Sequence, residues 1–210
     1  MNKLFIIGLP RTGTTSISVT LLEHYKVAHT AYTKRAFELA DVVSDCPCFT
    51  DYQQLDQLFP NSKFVYLKRP LLQWLPSIQM LLHKMLPSLG IDNKQQGSEY
   101  VNPILKRSFS QVFGIGDVED PLDESHLTSC YQKHEQQVND YFQGRNDLLS
   151  IDISQADSLP KLLQFLGVPH TGNERFPHLN IGKRVDNWKE IKSPNKVNPN
   201  AAGVEGRKYF

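Results

Sequence analysis

The sequence predicts an α/β protein, a three-layer sandwich around a mostly parallel central sheet. Three runs of bulky and β-branched residues, Leu4–Ile7, Lys63–Arg69 and Asp147–Ile153, read as buried strands. Between them lie segments whose apolar residues recur at helical spacing, and strands alternating with helices build a sheet covered on both faces. At 210 residues the chain fits one domain, residues 1–210, able to bury about 70% of its unfolded surface.

Leu4–Ile7 is the first strand. A glycine-bounded turn follows, and Thr14-Thr15 open a helix with Ile17, Leu21 and Leu22 as its apolar positions. Lys26–Thr30 reads as a short strand, Arg35–Ala40 as a turn or two of helix, and Asp41–Asp45 as a second short strand ending in a carboxylate. Cys46-Pro47 breaks it. Tyr52–Phe59 carries Leu55, Leu58 and Phe59 at helical spacing, and Pro60-Asn61 stops it. Lys63–Arg69 is the next strand and ends in a cation. Beyond it Leu71, Trp74, Leu75, Ile78, Leu82 and Met85 fall on one helical stripe, which puts Pro76 in the first turn or at a kink. Residues 87–122 are mixed in character, with glycines at 90, 97, 114 and 116, and are expected to form an insertion or lid. Asp123–Phe142 regains helical spacing, Asp147–Ile153 is the third clear strand, and Ser158–Leu166 is an amphipathic helix ended by Gly167 and Pro169. The polar, Asn-, Lys- and Pro-rich stretch 190–210 is expected to be a loosely structured tail.

Composition excludes several classes. A net charge of +1 gives no support for a nucleic-acid surface or a polybasic membrane-binding face. No run approaches the roughly 20 apolar residues of a membrane span. The N-terminal apolar run is too short for a signal peptide. Three cysteines (Cys46, Cys48 and Cys130) cannot all pair, and their spacing suits zinc poorly. A reduced, cytoplasmic protein is expected.

The chemistry gathers at the strand ends. The spacing Gly8-x4-Gly13 before Thr14-Thr15 nearly spells the phosphate-binding P-loop, a strand, glycine turn and helix N-terminus converging on one anion site. Thr14 stands where that pattern wants lysine, and the cation has moved back to Arg11. Leu9-Pro10-Arg11-Thr12-Gly13-Thr14-Thr15 resembles the Pro-Lys-Ser-Gly-Thr-Thr loop of the sulfotransferases, which grips the 5′-phosphosulfate of 3′-phosphoadenosine 5′-phosphosulfate (PAPS). The resemblance implies a P-loop-NTPase-like sulfotransferase topology, with Arg11, Thr12, Gly13, Thr14 and Thr15 as donor-binding residues and Arg11 also serving catalysis.

Arg69, ending its strand, with Ser77 eight residues on, resembles the segment that binds the 3′-phosphate of PAPS in that family. Arginine suits this task because its planar fork binds phosphate oxygens in pairs. By itself an Arg-x7-Ser pair is equally a solvated strand-end arginine and a capping serine. A third segment, Gly182-Lys183-Arg184-Val185-Asp186-Asn187-Trp188-Lys189, is similar to the family's C-terminal phosphate clamp with its glycines displaced. It implies Lys183 or Arg184 as a further 3′-phosphate contact.

Sulfuryl transfer also needs a base. Cytosolic members carry a histidine after the strand that precedes the arginine-bearing one. Here Ser44-Asp45-Cys46-Pro47 occupies that stretch, so Asp45 takes the histidine's place and His29, ending the neighbouring short strand, is the rival. The expected activity is metal-independent, in-line transfer from PAPS, leaving 3′-phosphoadenosine 5′-phosphate (PAP), to a hydroxyl or amine of a small-molecule or glycan acceptor, whose pocket residues 87–122 would shape. A P-loop kinase or NTPase using ATP–magnesium, with Asp45 as the metal-binding acid, is the alternative. Thr14 argues against it, since the lysine it replaces neutralises the transferring phosphate. A nucleotide-binding module that has lost its chemistry is the third reading, resting on the absent histidine.

Overall fold

The computed structural model describes residues 3–89, 101–177 and 188–202. They form two compact units, one built on the sheet (residues up to Lys68 and from Asn146 onward) and one helical (Arg69–Arg145).

In the sheet unit five strands pair in the order β2-β3-β1-β4-β5, and every pairing is parallel. They are β1 (Leu4–Ile6), β2 (Val27–Ala28), β3 (Val42–Ser44), β4 (Lys63–Leu67) and β5 (Leu148–Ile151). The α/β class with a parallel sheet is therefore observed. The helices of this unit are α1 (Thr14–Leu21), α2 (Lys34–Leu39), α3 (Cys48–Leu58) and a later one at Ser158–Leu166.

Side-chain alternation along the strands divides the core into two layers. Leu4, Ile6, Val27, Val42, Val65, Leu67 and Ile151 pack with Ile17 and Leu21 of α1 and with Leu159, Leu162 and Leu163 of the late helix. The intervening Phe5 and Phe64 meet each other at 5.5 Å, and Phe5 meets Phe59 beyond α3 at 5.6 Å. β1 and β4 have no exposed face, which explains why both read as continuous apolar runs rather than alternating ones.

One helix departs from the spacing-based expectation. α3 begins at Cys48, four residues before Tyr52, because Cys48 and Phe49 extend the buried stripe of Tyr52 and Leu55; Leu58, expected on that stripe, is 71% exposed. Residues 188–202 hold one 3-10 turn (Trp188–Glu190) and then run beside β2. The Val27 amide donates to Asn195 O and the Val197 amide to Val27 O, both at 2.8 Å; the Tyr32 amide donates to Pro199 O at 2.9 Å.

The helical unit holds α4 (Leu71–Leu89), α5 (Pro103–Phe113) and α6 (Glu124–Tyr141); the late helix of the sheet unit is then α7. Trp74 is fully buried, 5.0 Å from the Tyr131 ring and 6.4 Å from that of Phe113. Trp74, Leu75, Ile78 and Leu82 supply the buried stripe of α4, as their spacing predicts; Pro76, its sixth residue, lies beyond the first turn and is exposed. α5 emerges from the mixed stretch. Asn102 caps it by accepting from the Ile104 amide at 2.9 Å, and Gly114, at φ 61°, ends it. Among the described residues no helix is long and apolar enough to cross a membrane.

Candidate active site

In a parallel sheet, ligands gather beyond the carboxyl ends of the strands, at the place where onward connections part. β1 leads toward β2 on one side and its neighbour β4 toward β5 on the other. The glycine turn leaves β1 there.

Gly8 is required by contact. A Cβ on it would stand 2.5 Å from Leu67 Cβ, 2.6 Å from Thr12 Oγ1 and 2.9 Å from the Leu67 carbonyl. The turn closes on itself, for the Thr12 amide and hydroxyl both donate to Leu9 O, at 3.2 and 2.7 Å. Thr12 is thus buried as a staple of the loop. Arg11 adopts φ 73° and Gly13 φ 109°, both left-handed. A Cβ on Gly13 would also meet Ile153 Cδ1 at 2.2 Å. Gly13 caps α1 without any side-chain hydrogen bond to the first-turn amides. Such amides have no intrahelical acceptor and carry the positive end of the helix dipole. A glycine turn carrying an arginine and leading into a helix that opens on two threonines has the composition of an anion-binding turn.

Two carboxyl-end neighbours reach the same helix start. Asp45 directly follows β3 in a left-handed turn at φ 57°, before a cis Cys46-Pro47 peptide. The Thr14 hydroxyl donates to Asp45 Oδ2 at 2.9 Å. His29 directly follows β2, with Nε2 3.3 Å from Thr15 Oγ1 and 3.9 Å from Asp45 Oδ2. Their side chains are 17% and 13% exposed, so most of the pair is shielded from water. β2, β3 and β1 are adjacent and parallel; their register explains how residues 11–15, 29 and 45 share one rim.

Burial pushes the His29 pKa below its usual value; the Asp45 charge opposes this, and the Lys196 ammonium adds to it. The imidazole is therefore neutral at pH 7. Sequence reasoning missed four neighbours of this histidine. Ser44 Oγ lies 2.9 Å from Nδ1 and Ser18 Oγ 3.4 Å. The Trp188 ring is 5.3 Å from the imidazole, and Lys196 donates to the carbonyls of Trp188 and Ile191. A small buried hydroxyl carries no periodic signal, and Lys196 is one polar residue among many.

Arg69 and Ser77 belong to the helical unit. Arg69 is half-buried with its carbonyl held by the Tyr131 hydroxyl at 2.9 Å, and Ser77 is half-buried in α4. Lys183 and Arg184 lie outside the described residues. Among the described residues no cluster of His, Cys, Asp or Glu could hold a metal ion.

A family model described as "Sulfotransferase domain" matches residues 22–185. That span contains His29, Asp45, Arg69, Ser77, Lys183 and Arg184, and begins after the glycine turn. No curated protein matches the chain. With most of its length under one family model, and the parallel α/β fold to carry it, the chain belongs to the sulfotransferase family.

Proposed function

We propose that this protein transfers the sulfuryl group of PAPS to a hydroxyl or amine on a small-molecule or glycan acceptor, in line and without a metal. The observation that carries this reading is the loop itself. Its glycines are required by contact and by φ, its one cation is Arg11, and threonine stands where a kinase keeps lysine.

PAPS brings an activated sulfuryl group on a phosphate leaving group. The chain's own residues bind, orient and take a proton. The first-turn amides of α1, with Thr14 and Thr15, hold the 5′-phosphate. Arg11 neutralises charge gathering on the leaving oxygen, a role electrostatic positioning fulfils without covalent help. Arg69 and Ser77 take the 3′-phosphate, joined by Lys183 or Arg184, as the family resemblance implies. Asp45 accepts the acceptor's proton, its carboxylate restrained by the Thr14 hydroxyl at 2.9 Å. A cytoplasmic location fits Cys46, Cys48 and Cys130, all free thiols.

A thermal-shift titration with PAP beside ATP–magnesium tests the donor. A ligand at a hundredfold excess over its dissociation constant stabilises the fold by about 2.7 kcal/mol. The expected outcome is a shift with PAP alone, abolished in Arg69→Ala. Arg11→Ala should spare PAP binding more than PAPS turnover. A shift with ATP–magnesium alone would make this a kinase-like protein.

A further inference from the structure

The proposed transfer leaves His29 without a task, and the hydrogen bonds around it define one. Three short contacts run inward from its Nδ1: 2.9 Å to Ser44 Oγ, 2.7 Å from there to Ser18 Oγ, and 2.7 Å from Ser18 Oγ to the Thr14 carbonyl. Both serines are fully buried. Each hydroxyl has one proton, so the protons can be counted. The Thr14 carbonyl only accepts, so the Ser18 proton goes to it. The Ser18–Ser44 contact must then use the Ser44 proton. The contact between Ser44 and His29 is left with only the imidazole's own proton, on Nδ1. Sending the Ser44 proton instead to the His29 carbonyl, 3.1 Å away, would leave two hydroxyl oxygens 2.7 Å apart with none between them. The tautomer, deduced by this count, carries its proton on Nδ1 and its lone pair on Nε2.

Nε2 faces the Thr15 hydroxyl at 3.3 Å and Asp45 Oδ2 at 3.9 Å. The chain of donors is the same whether or not Nε2 carries a proton. The imidazole can therefore gain one and lose it without rearranging the buried serines.

We propose that His29 and Asp45 act as one proton-accepting pair, and that Ser18 and Ser44 are its positioning residues, holding Nε2 toward the carboxylate. The proposal rests on Asp45 as the base. As the acceptor oxygen bonds to sulfur, the S–O bond to the 5′-phosphate breaks and its electron pair leaves with PAP. The acceptor's proton passes to Asp45 and moves on to Nε2, which stands 3.9 Å from that carboxylate in the resting protein. An imidazolium–carboxylate pair results, returning the proton to solvent once the product departs. Among the described residues, the charged groups facing the imidazole are Asp45 from the end of β3, which favours its protonation, and Lys196 from the C-terminal segment, which opposes it.

Nitrogen NMR of the full chain labelled with ¹⁵N-histidine tests this, with the His29 signals assigned by their loss in His29→Gln. The expected result at pH 7, without any nucleotide, is a single neutral tautomer protonated on Nδ1. Ser44→Ala should replace it with a mixture of tautomers. Asp45→Asn should lower the pH at which His29 titrates, and it decides the matter if Ser44→Ala does not fold. Wild-type His29 protonated on Nε2, or an unchanged titration in Asp45→Asn, would overturn the proposal. Added PAP should raise the His29 titration, through phosphate charge beside Thr15. A protein that passes the nucleotide-free tests and ignores PAP keeps the pair and loses the donor assignment.

Discussion

The two units of this protein obey local rules to different degrees. In the helical unit α5 starts at an asparagine cap and stops at a left-handed glycine, and α6 starts at Asp123, which accepts from the His126 amide at 2.7 Å. These are the ends that sequence chemistry favours. In the sheet unit the rim of β1 and β3 breaks the same rules. α1 is capped by a glycine with no side-chain bond, while Arg11 and Asp45 sit at φ 73° and 57°, where side chains are strained. These residues, held against their local preference beside a buried polar cluster, are the ones on which the proposed function rests.

Four measurements break or sharpen this contrast. The largest effect belongs to the helical unit's core. Trp74→Ala should cost about 3–5 kcal/mol in urea unfolding followed by circular dichroism, as removal of a fully packed aromatic does. A loss under 1 kcal/mol would mean that this unit is loosely packed. Next comes a matched pair of glycines. Gly8→Ala should cost about 1–3 kcal/mol because its new Cβ meets the Leu67 backbone. Gly144→Ala, at φ 76° in open space, should cost about 1 kcal/mol from backbone strain alone. Equal costs would remove the claim that the loop is shaped by close approach. Asn102→Ala should then cost about 1 kcal/mol, the worth of an ordinary cap.

The smallest effect is a slope. The pKa of His29 is lowered in the folded protein, so below about 6.5 the unfolded chain binds the extra proton first. The stability that the neutral imidazole contributes is complete above that pH and is lost as pH falls toward the folded value. His29→Gln should flatten the acid side of the stability curve; an identical slope would show that another group titrates there.

What could be read beforehand follows the same division. β1 and β4 were legible because strands buried on both faces are continuous apolar runs, and the loop was legible because glycine spacing is local. α5 was harder: its buried positions include Ser108, and its usable signals were the Asn102-Pro103 start and the Gly114 stop. At the rim, Arg11, Thr14, Asp45 and His29 could be named from strand ends. Ser18 and Ser44 could not, since 26 positions separate them and only the β1–β3 pairing and α1 bring them together. The pairing of Val27 with residues 195 and 197 was equally invisible, because backbone hydrogen bonds ignore the polar side chains of that stretch.

That late pairing sets a timetable for the newly made chain. β4 finds its β5 partner only after everything from Lys68 to Asp147 has been synthesised, on the order of 4–16 s at usual elongation rates. The outer edge of β2 waits longer, until Val197 has emerged. For that interval β4 and the outer side of β2 are open edges, templates for any passing extended chain. The helical unit, contiguous from Arg69 to Arg145, has all its own contacts in hand before the sheet is closed. A chain cut short before Asn195 would lack both backbone partners of Val27.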